Sequence, residues 1–137
     1  VGTRVIIVGG GMVGCETAEY LSQKGTQVTI LEMLDKIAAD MGPTLRWRLI
    51  SRLKQGGVKV LTGVKVTGIR ENGVESIRNG QTELYEADHV VLAAGMKPKD
   101  DMAKEFAGRN FFQVGDSLKP RKLGEAIQEA YCAAVKL

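Results

Sequence analysis

The chain has 137 residues, with 19 Lys and Arg against 16 Asp and Glu and a formal net charge of +3. Its 44% hydrophobic and 26% charged residues fit one globular domain and exclude a disordered chain. Two cysteines, Cys15 and Cys132, and one histidine exclude a disulfide scaffold and a zinc site, and so small a charge gives no reason to expect nucleic acid.

The apolar stretches at 5–14 and 89–96 fall short of the ~18 residues of a membrane span. No signal peptide opens the sequence, and a reducing, cytoplasmic setting is the default. The sequence begins at Val1, not Met, and reaches a strand within a few residues, as expected of a piece cut from a longer protein. Its 17 glycines are more than composition alone would supply and call for tight turns or close backbone approaches.

Residues 4–9 (RVIIVG) are a β-branched apolar run, predicting a strand buried on both faces of a parallel sheet. Glycine-rich sequence follows. A helix is predicted over 12–24, where Val13, Thr17, Ala18 and Leu21 recur at helical spacing, with Gly25 at its C′ position. Residues 28–33 (VTILEM) predict a second buried strand, so strand, glycine turn, helix and strand close one βαβ unit within about 30 residues. Residues 34–42 read as a loop or short helical turn, with Asp40 as a cap candidate for a helix over 43–55. Pro43 suits its first turn, Leu45, Leu49 and Leu53 share a face, and Gly56-Gly57 ends it. A third parallel strand is predicted at 58–61.

The pattern then changes. Short strands at 64–69, 74–78 and 82–86 are joined at Asn72-Gly73 and Asn79-Gly80, the pair favoured by type I′ hairpins because both central residues need positive φ. A three-stranded antiparallel meander is expected. Residues 89–94 (HVVLAA) return to a buried strand ended by Gly95, 97–101 (KPKDD) read as a turn and 102–106 as a helical turn. In the tail, 111–114 (FFQV) predict a short strand entering Gly115-Asp116. A loop over 117–122 precedes a final helix at 124–136, with Ile127, Ala130, Tyr131 and Ala134 facing inward. The predicted fold class is α/β: a Rossmann-like parallel sheet with helices on both faces, plus a three-stranded antiparallel β-meander.

The chemistry is concentrated near the start. Gly9-Gly10-Gly11-Met12-Val13-Gly14 satisfies G-x-G-x-x-G, and it follows a buried strand and opens a helix, the context that gives this motif meaning. Gly9 permits the tight turn, Gly11 removes a side chain where a pyrophosphate approaches, and Gly14 lets the helix pack closely on the strand. The helix N-terminus offers free N–H groups and a positive dipole end to phosphates. Glu32 lies 23 positions after Gly9, near the ~20-residue offset of an acidic group on the adenosine ribose. A carboxylate there accepts from both ribose hydroxyls and repels a 2′-phosphate, which predicts NADH in preference to NADPH. Met12, Val13, Met33 and Lys36 complete the cofactor-binding set. The plainer readings are a merely tight turn, a solvated Glu32 and a surface Lys36.

No catalytic residue emerges. His89, Cys15 and Cys132 read as structural, and Arg46, Arg48, Arg52 and Lys54 as a solvated helix face with almost no aromatic interleaving. NADH needs a hydride acceptor, usually a flavin, yet a second dinucleotide has no glycine motif of its own here.

Together VIIVGGGMVGCETAEYL, VTILEM, HVVLAAGMKP and FFQVGD resemble the pyridine-nucleotide segments of two-dinucleotide-binding flavoprotein reductases. The stretch DKIAADMGPTLRWRLISRLKQGGVKVL and the short link from GMKP to VGD resemble, more narrowly, the C-terminal part of the multidomain NADH:flavin oxidoreductases, the group of 2,4-dienoyl-CoA reductase and 2-enoate reductase. The resemblance implies an N-terminal (β/α)8 barrel with FMN that reduces an activated C=C bond, and an iron–sulfur cluster linking it to an FAD domain. It implies that residues 1–96 are the NAD(P)H-binding domain, and 97–137 the C-terminal piece of the FAD domain, whose other half lies outside these residues. It places Gly9, Gly11, Gly14 and Glu32 on NADH, Glu16 on the nicotinamide side and Gly95 at the crossover back to the FAD domain. Gly115-Asp116 matches the motif whose Asp holds the FAD ribityl chain. FAD, FMN and iron are then expected only in the intact enzyme, and the chain alone is expected to be inactive. The implied partners are NAD(H), the FAD-domain remainder and the FMN barrel, with no nucleic acid and no membrane. The tail is expected to dock on the NAD domain, to be disordered or to pair with another copy, with Phe111, Phe112 and Tyr131 leaving an apolar surface that promotes such pairing.

Two rivals remain open at this point. One is a free-standing NAD-binding sensor or regulatory module without redox turnover. The other is an enzyme using another nucleotide, such as a methyltransferase, whose glycine loop is expected to be shorter.

Overall fold

The computed structural model describes residues 3–99, 102, 105–106 and 108–136. The chain divides into two compact units, Val1–Gly95 and Met96–Leu137. In chain order the first contains β1 (Arg4–Val8), α1 (Met12–Gln23), β2 (Gln27–Leu31), α2 (Pro43–Gln55), β3 (Lys59–Leu61), β4 (Val64–Arg70), β5 (Gly73–Arg78), β6 (Gln81–Glu86) and β7 (His89–Leu92).

Four strands form a parallel sheet of order β3-β2-β1-β7, and β4-β5-β6 form a separate antiparallel sheet. Strand side chains alternate between faces. Val5 and Ile7 of β1 and Val28 and Ile30 of β2 therefore join Cys15 and Ala18 of α1 and Leu49 and Leu53 of α2 in one core. Ile6 and Leu31 point the other way and pack with Val64, Val74 and Ala87. Ile7 and Ile30 are fully buried, and a side chain of that size contributes about 1.5–3 kcal/mol when removed from water. The expected class is met. Its layering differs in one respect: among the described residues both helices of this unit share one face, and the antiparallel sheet covers the other.

Small residues make the close packing of α1 feasible. Gly14, Cys15 and Ala18 face the sheet, whereas Val13, one of the residues at helical spacing, is 68% exposed. On α2 only Leu49 and Leu53 are buried, and Leu45, expected on the same face, is 62% exposed. Asp40 does not cap α2. Gly42 is the N-cap, without a side-chain hydrogen bond.

The hairpin at Asn79-Gly80 has both residues at positive φ, 51° and 78°, as a type I′ turn requires. The other hairpin differs from expectation. Arg70 pairs with Gly73, so the turn residues are Glu71 and Asn72, and neither has positive φ. Gly73 instead opens β5 at φ 153°, where a side chain would overlap the carbonyl of Tyr85 on β6. Strand β7 is a sheet edge and not a buried strand. It ends at Leu92, with Val90 and Val91 half-buried and His89 and Leu92 exposed. Arg4 ties the start of β1 to this end of the sheet: its backbone N–H donates to Asp88 Oδ2 at 2.7 Å, and its guanidinium reaches Glu86 at 2.8 Å and Asp88 at 3.1 Å.

In the second unit, a single 3₁₀ turn over Gly115–Ser117 precedes α3 (Leu123–Ala134). Residues 111–114 are not a strand, although Phe106 and Phe111 stack with ring centroids 5.3 Å apart. The expected turns over 97–101 and 102–106 lie partly outside the described residues. The facing of α3 is the reverse of that predicted. Ala126, Glu129 and Ala133 are half-buried, while Ile127 and Tyr131 are 60% and 70% exposed. Glu129 is the reason, because its carboxylate accepts from the Gly115 N–H at 2.8 Å and pairs with Arg121.

Candidate functional site

The glycine turn between β1 and α1 is closed by backbone contacts. Gly9 has φ 108°, and a side chain there would overlap the Ala93 carbonyl just beyond β7. A side chain at Gly14 would overlap the Gly9 carbonyl, so α1 rests directly on the turn. At Gly10 a Cβ would meet Ile37 Cγ2 and stand 3.1 Å from the Glu32 carboxylate. Gly11 is different: nothing lies within 4 Å of the position its side chain would occupy. The turn is packed solid at three glycines and open at the fourth.

That open side adjoins the start of α1. Gly11 is the N-cap and provides no side chain, and the first turn carries no acidic residue. The first intrahelical bond runs from the Cys15 N–H to Gly11 O at 3.0 Å. The amides of Met12, Val13 and Gly14 are those an α-helix leaves without an acceptor, at its positive end. Space, donors and polarity thus coincide beside Gly11, which is what a pyrophosphate requires.

Glu32 stands immediately after β2, pinned by its own backbone: its N–H donates to Leu61 O and its carbonyl accepts from Val64 N, both at 2.9 Å. Its carboxylate is fixed as well. Oε2 accepts from the Gly10 N–H at 2.5 Å and Oε1 from the Leu34 N–H at 2.8 Å. Each carboxylate oxygen has two acceptor positions, so each retains one for a ribose hydroxyl while the group is held in place.

The loop after Glu32 supplies residues that the sequence pattern did not single out. Ile37 and Ala38 are buried within it. The Ala38 N–H donates to Gly10 O at 2.7 Å, and Ala38 adopts φ 47°, unusual for a residue with a side chain. Arg46 on α2 donates through Nε to Ile37 O at 2.8 Å. The available signal was weak, since Ile37 and Ala38 stand in a loop that also holds Leu34, Ala39 and Met41. Of the basic set expected on a solvated helix face, Arg46 is therefore half-buried and bonded, and Arg52 pairs with Glu19 across α1 and α2.

The structure brings Gly9, Gly10, Gly14 and Glu32 together, with Gly11 at the open rim. Met12, Val13, Glu16, Met33 and Lys36 are exposed around it. Gly95, at φ 89°, follows β7 at the end of the same unit. Gly115 and Asp116 belong to the second unit, where Asp116 Oδ1 accepts from the Arg121 N–H at 3.2 Å. Cys15 lies under the turn with its thiol donating to Gly10 O. Burial, followed by the charges of Glu32 and Glu16, pushes that thiol up to about 11, so it stays protonated at neutral pH. Among the described residues no cluster of three or more His, Cys, Asp or Glu could hold a metal, and no helix is long and apolar enough to cross a membrane.

The sequence pattern of the pyridine nucleotide-disulphide oxidoreductases matches residues 1–120. The chain belongs to this family. It is 37% identical over 135 residues to an NADH oxidase of Thermoanaerobacter brockii, covering 96% of this chain and 21% of that protein. It is 39% identical over 134 residues to a bilirubin reductase of Mediterraneibacter gnavus, again covering 96% of this chain and 21% of the relative. The solved structure of a 2-naphthoyl-CoA reductase in complex with 2-naphthoyl-CoA superposes with a TM-score of 0.82 at 32% identity, over 100% of this chain and 21% of that one. These relatives agree with the resemblance to the multidomain NADH:flavin oxidoreductases. The chain spans about a fifth of the length of the relatives it matches.

Proposed function

We propose that this chain is the NADH-binding module of a flavin-dependent oxidoreductase. The observation that carries the reading is the open side of Gly11 at the uncapped start of α1, with the Glu32 carboxylate fixed beside it. On this reading the amides of α1 bind the pyrophosphate, and Glu32 accepts from the adenosine ribose hydroxyls and disfavours a 2′-phosphate. Met12, Val13, Met33 and Lys36 border the dinucleotide, with Glu16 on the nicotinamide side and Gly95 at the chain's exit from the domain. When bound, NADH supplies a hydride, which in the intact protein passes to FAD and onward to FMN and an activated C=C substrate.

Residues 1–96 are then the NAD(P)H-binding domain and 97–137 the closing piece of an FAD domain. Asp116 keeps its Oδ2 available for a ribityl hydroxyl while Oδ1 is held by the Arg121 amide. The outward stripe of Leu123, Ile127 and Tyr131 on α3, continued by Val135 at its C-cap, is the surface that the remainder of the FAD domain covers. Where that remainder is absent, the same stripe is available for pairing two copies. The protein acts in the cytoplasm.

Calorimetric titration with NADH and NADPH, and with S-adenosylmethionine as control, tests the proposal. NADH is expected to bind more tightly than NADPH, and the control not at all. No heat from NADH on a folded sample overturns it.

A further inference from the structure

A second connection controls the shape of the glycine turn. Gly10 is held from both sides: its N–H by Glu32 Oε2 at 2.5 Å and its carbonyl by the Ala38 N–H at 2.7 Å. Ala38 makes this bond with a left-handed backbone, at φ 47°, a conformation that L-residues other than Asn and Asp rarely adopt. Such a conformation persists only where the surroundings over-determine it. Two contacts do so. The Ile37 side chain is buried against Gly10, and the Ile37 carbonyl is held at 2.8 Å by Nε of Arg46. The Arg46 main chain is anchored in α2, where its backbone N–H makes the first hydrogen bond of the helix, to Gly42 O at 2.9 Å.

We infer that Arg46 is a positioning residue for dinucleotide binding: it latches the loop after Glu32 onto α2, and so fixes the Gly10 peptide and the carboxylate beside it. This rests on the dinucleotide reading above. The bond, not the charge, does the positioning. The guanidinium is turned to its own chain's carbonyl through Nε, the one nitrogen within the stem of the side chain.

The stereochemistry supplies the test. The Nε2 of glutamine occupies the same place along the side chain as the Nε of arginine, so Arg46→Gln keeps the donor and removes the charge. Arg46→Met keeps the length and loses the donor, and Arg46→Lys keeps the charge on a longer stem. NADH and NADPH affinities of these three variants are measured by calorimetry, with hydrogen exchange at the Ala38 and Leu34 amides. Arg46→Met is expected to bind NADH roughly three- to tenfold more weakly, the scale of one lost hydrogen bond. Faster exchange at Ala38 is expected with it, and a smaller preference for NADH. Arg46→Gln is expected to stay within about twofold of the original chain on the same scale. If Arg46→Lys retains affinity and Arg46→Gln loses it, the side chain acts by charge and the latch is refuted. Unchanged NADH binding and Ala38 exchange in Arg46→Met refute it as well. Failure of the unaltered chain to bind NADH is a separate result, and it removes the function proposed above.

Discussion

Glu32 Oε2 accepts a hydrogen bond from the backbone N–H of Gly10 at 2.5 Å. The acidic residue after β2 and the second glycine of the turn are therefore one unit. This changes what a substitution at Glu32 does. Glu32→Ala removes the proposed ribose acceptor, frees the exposed Leu34 amide and strands the buried Gly10 amide, and an unsatisfied buried donor costs about 1–3 kcal/mol. The expected outcome is weaker NADH binding, a smaller preference over NADPH and a lower urea midpoint. An unaltered NADH-to-NADPH ratio would exclude the ribose role.

Two glycines of the same motif should behave in opposite ways. Gly11→Val places its side chain in open space, so the variant is expected to melt near the original temperature yet lose NADH binding by about tenfold or more, the scale of a lost hydrogen bond to a charged group. Gly14→Ala drives a methyl into the Gly9 carbonyl and is expected to lose about 1–3 kcal/mol of stability. Thermal melts and titrations on both variants check the contrast.

Asp88 is predicted to make stability depend on pH. The Arg4 backbone N–H, and then its guanidinium, hold this carboxyl below its ordinary range. A carboxyl whose folded pKa is depressed stabilises above its unfolded pKa and loses that contribution as pH falls through the folded value. Asp88→Asn should thus lower the urea midpoint at neutral pH, and the gap from the original chain should close as the solution is acidified below the usual carboxylate range. A gap that persists or widens in acid would contradict this.

The two cysteines should separate by reactivity. Cys15 is buried and protonated at neutral pH, and Cys132 is exposed on α3. Thiolate and access together govern alkylation. Mass spectrometry after iodoacetamide treatment at pH 8 should show one label on the folded chain, at Cys132, and a second only in denaturant.

What could be read in advance was whatever the chain settles locally. The run from β1 through the glycine turn and α1 to β2 carries its own periodicity and turn chemistry, so these elements appear close to their expected places, and Asn79-Gly80 folds as its composition demands. Periodicity says which residues share a face, but not which face finds a partner. On α3 a single carboxylate, Glu129, reaching the Gly115 amide turned Ile127 and Tyr131 outward. The edge position of β7 depends on which strand adds beyond it, and HVVLAA alone carries no record of that. Arg46 was illegible for another reason: nine residues separate it from Ile37, and only the path of the intervening loop brings them together.

Where Gly9 lies against Ala93 and Gly14 against Gly9, peptide groups touch with no side chains between them. Such a seat is made of the part of the polymer that every residue has in common. Met12, Val13 and Met33 along its margin are exposed, so a change of side chain there meets solvent and leaves the backbone seat its form.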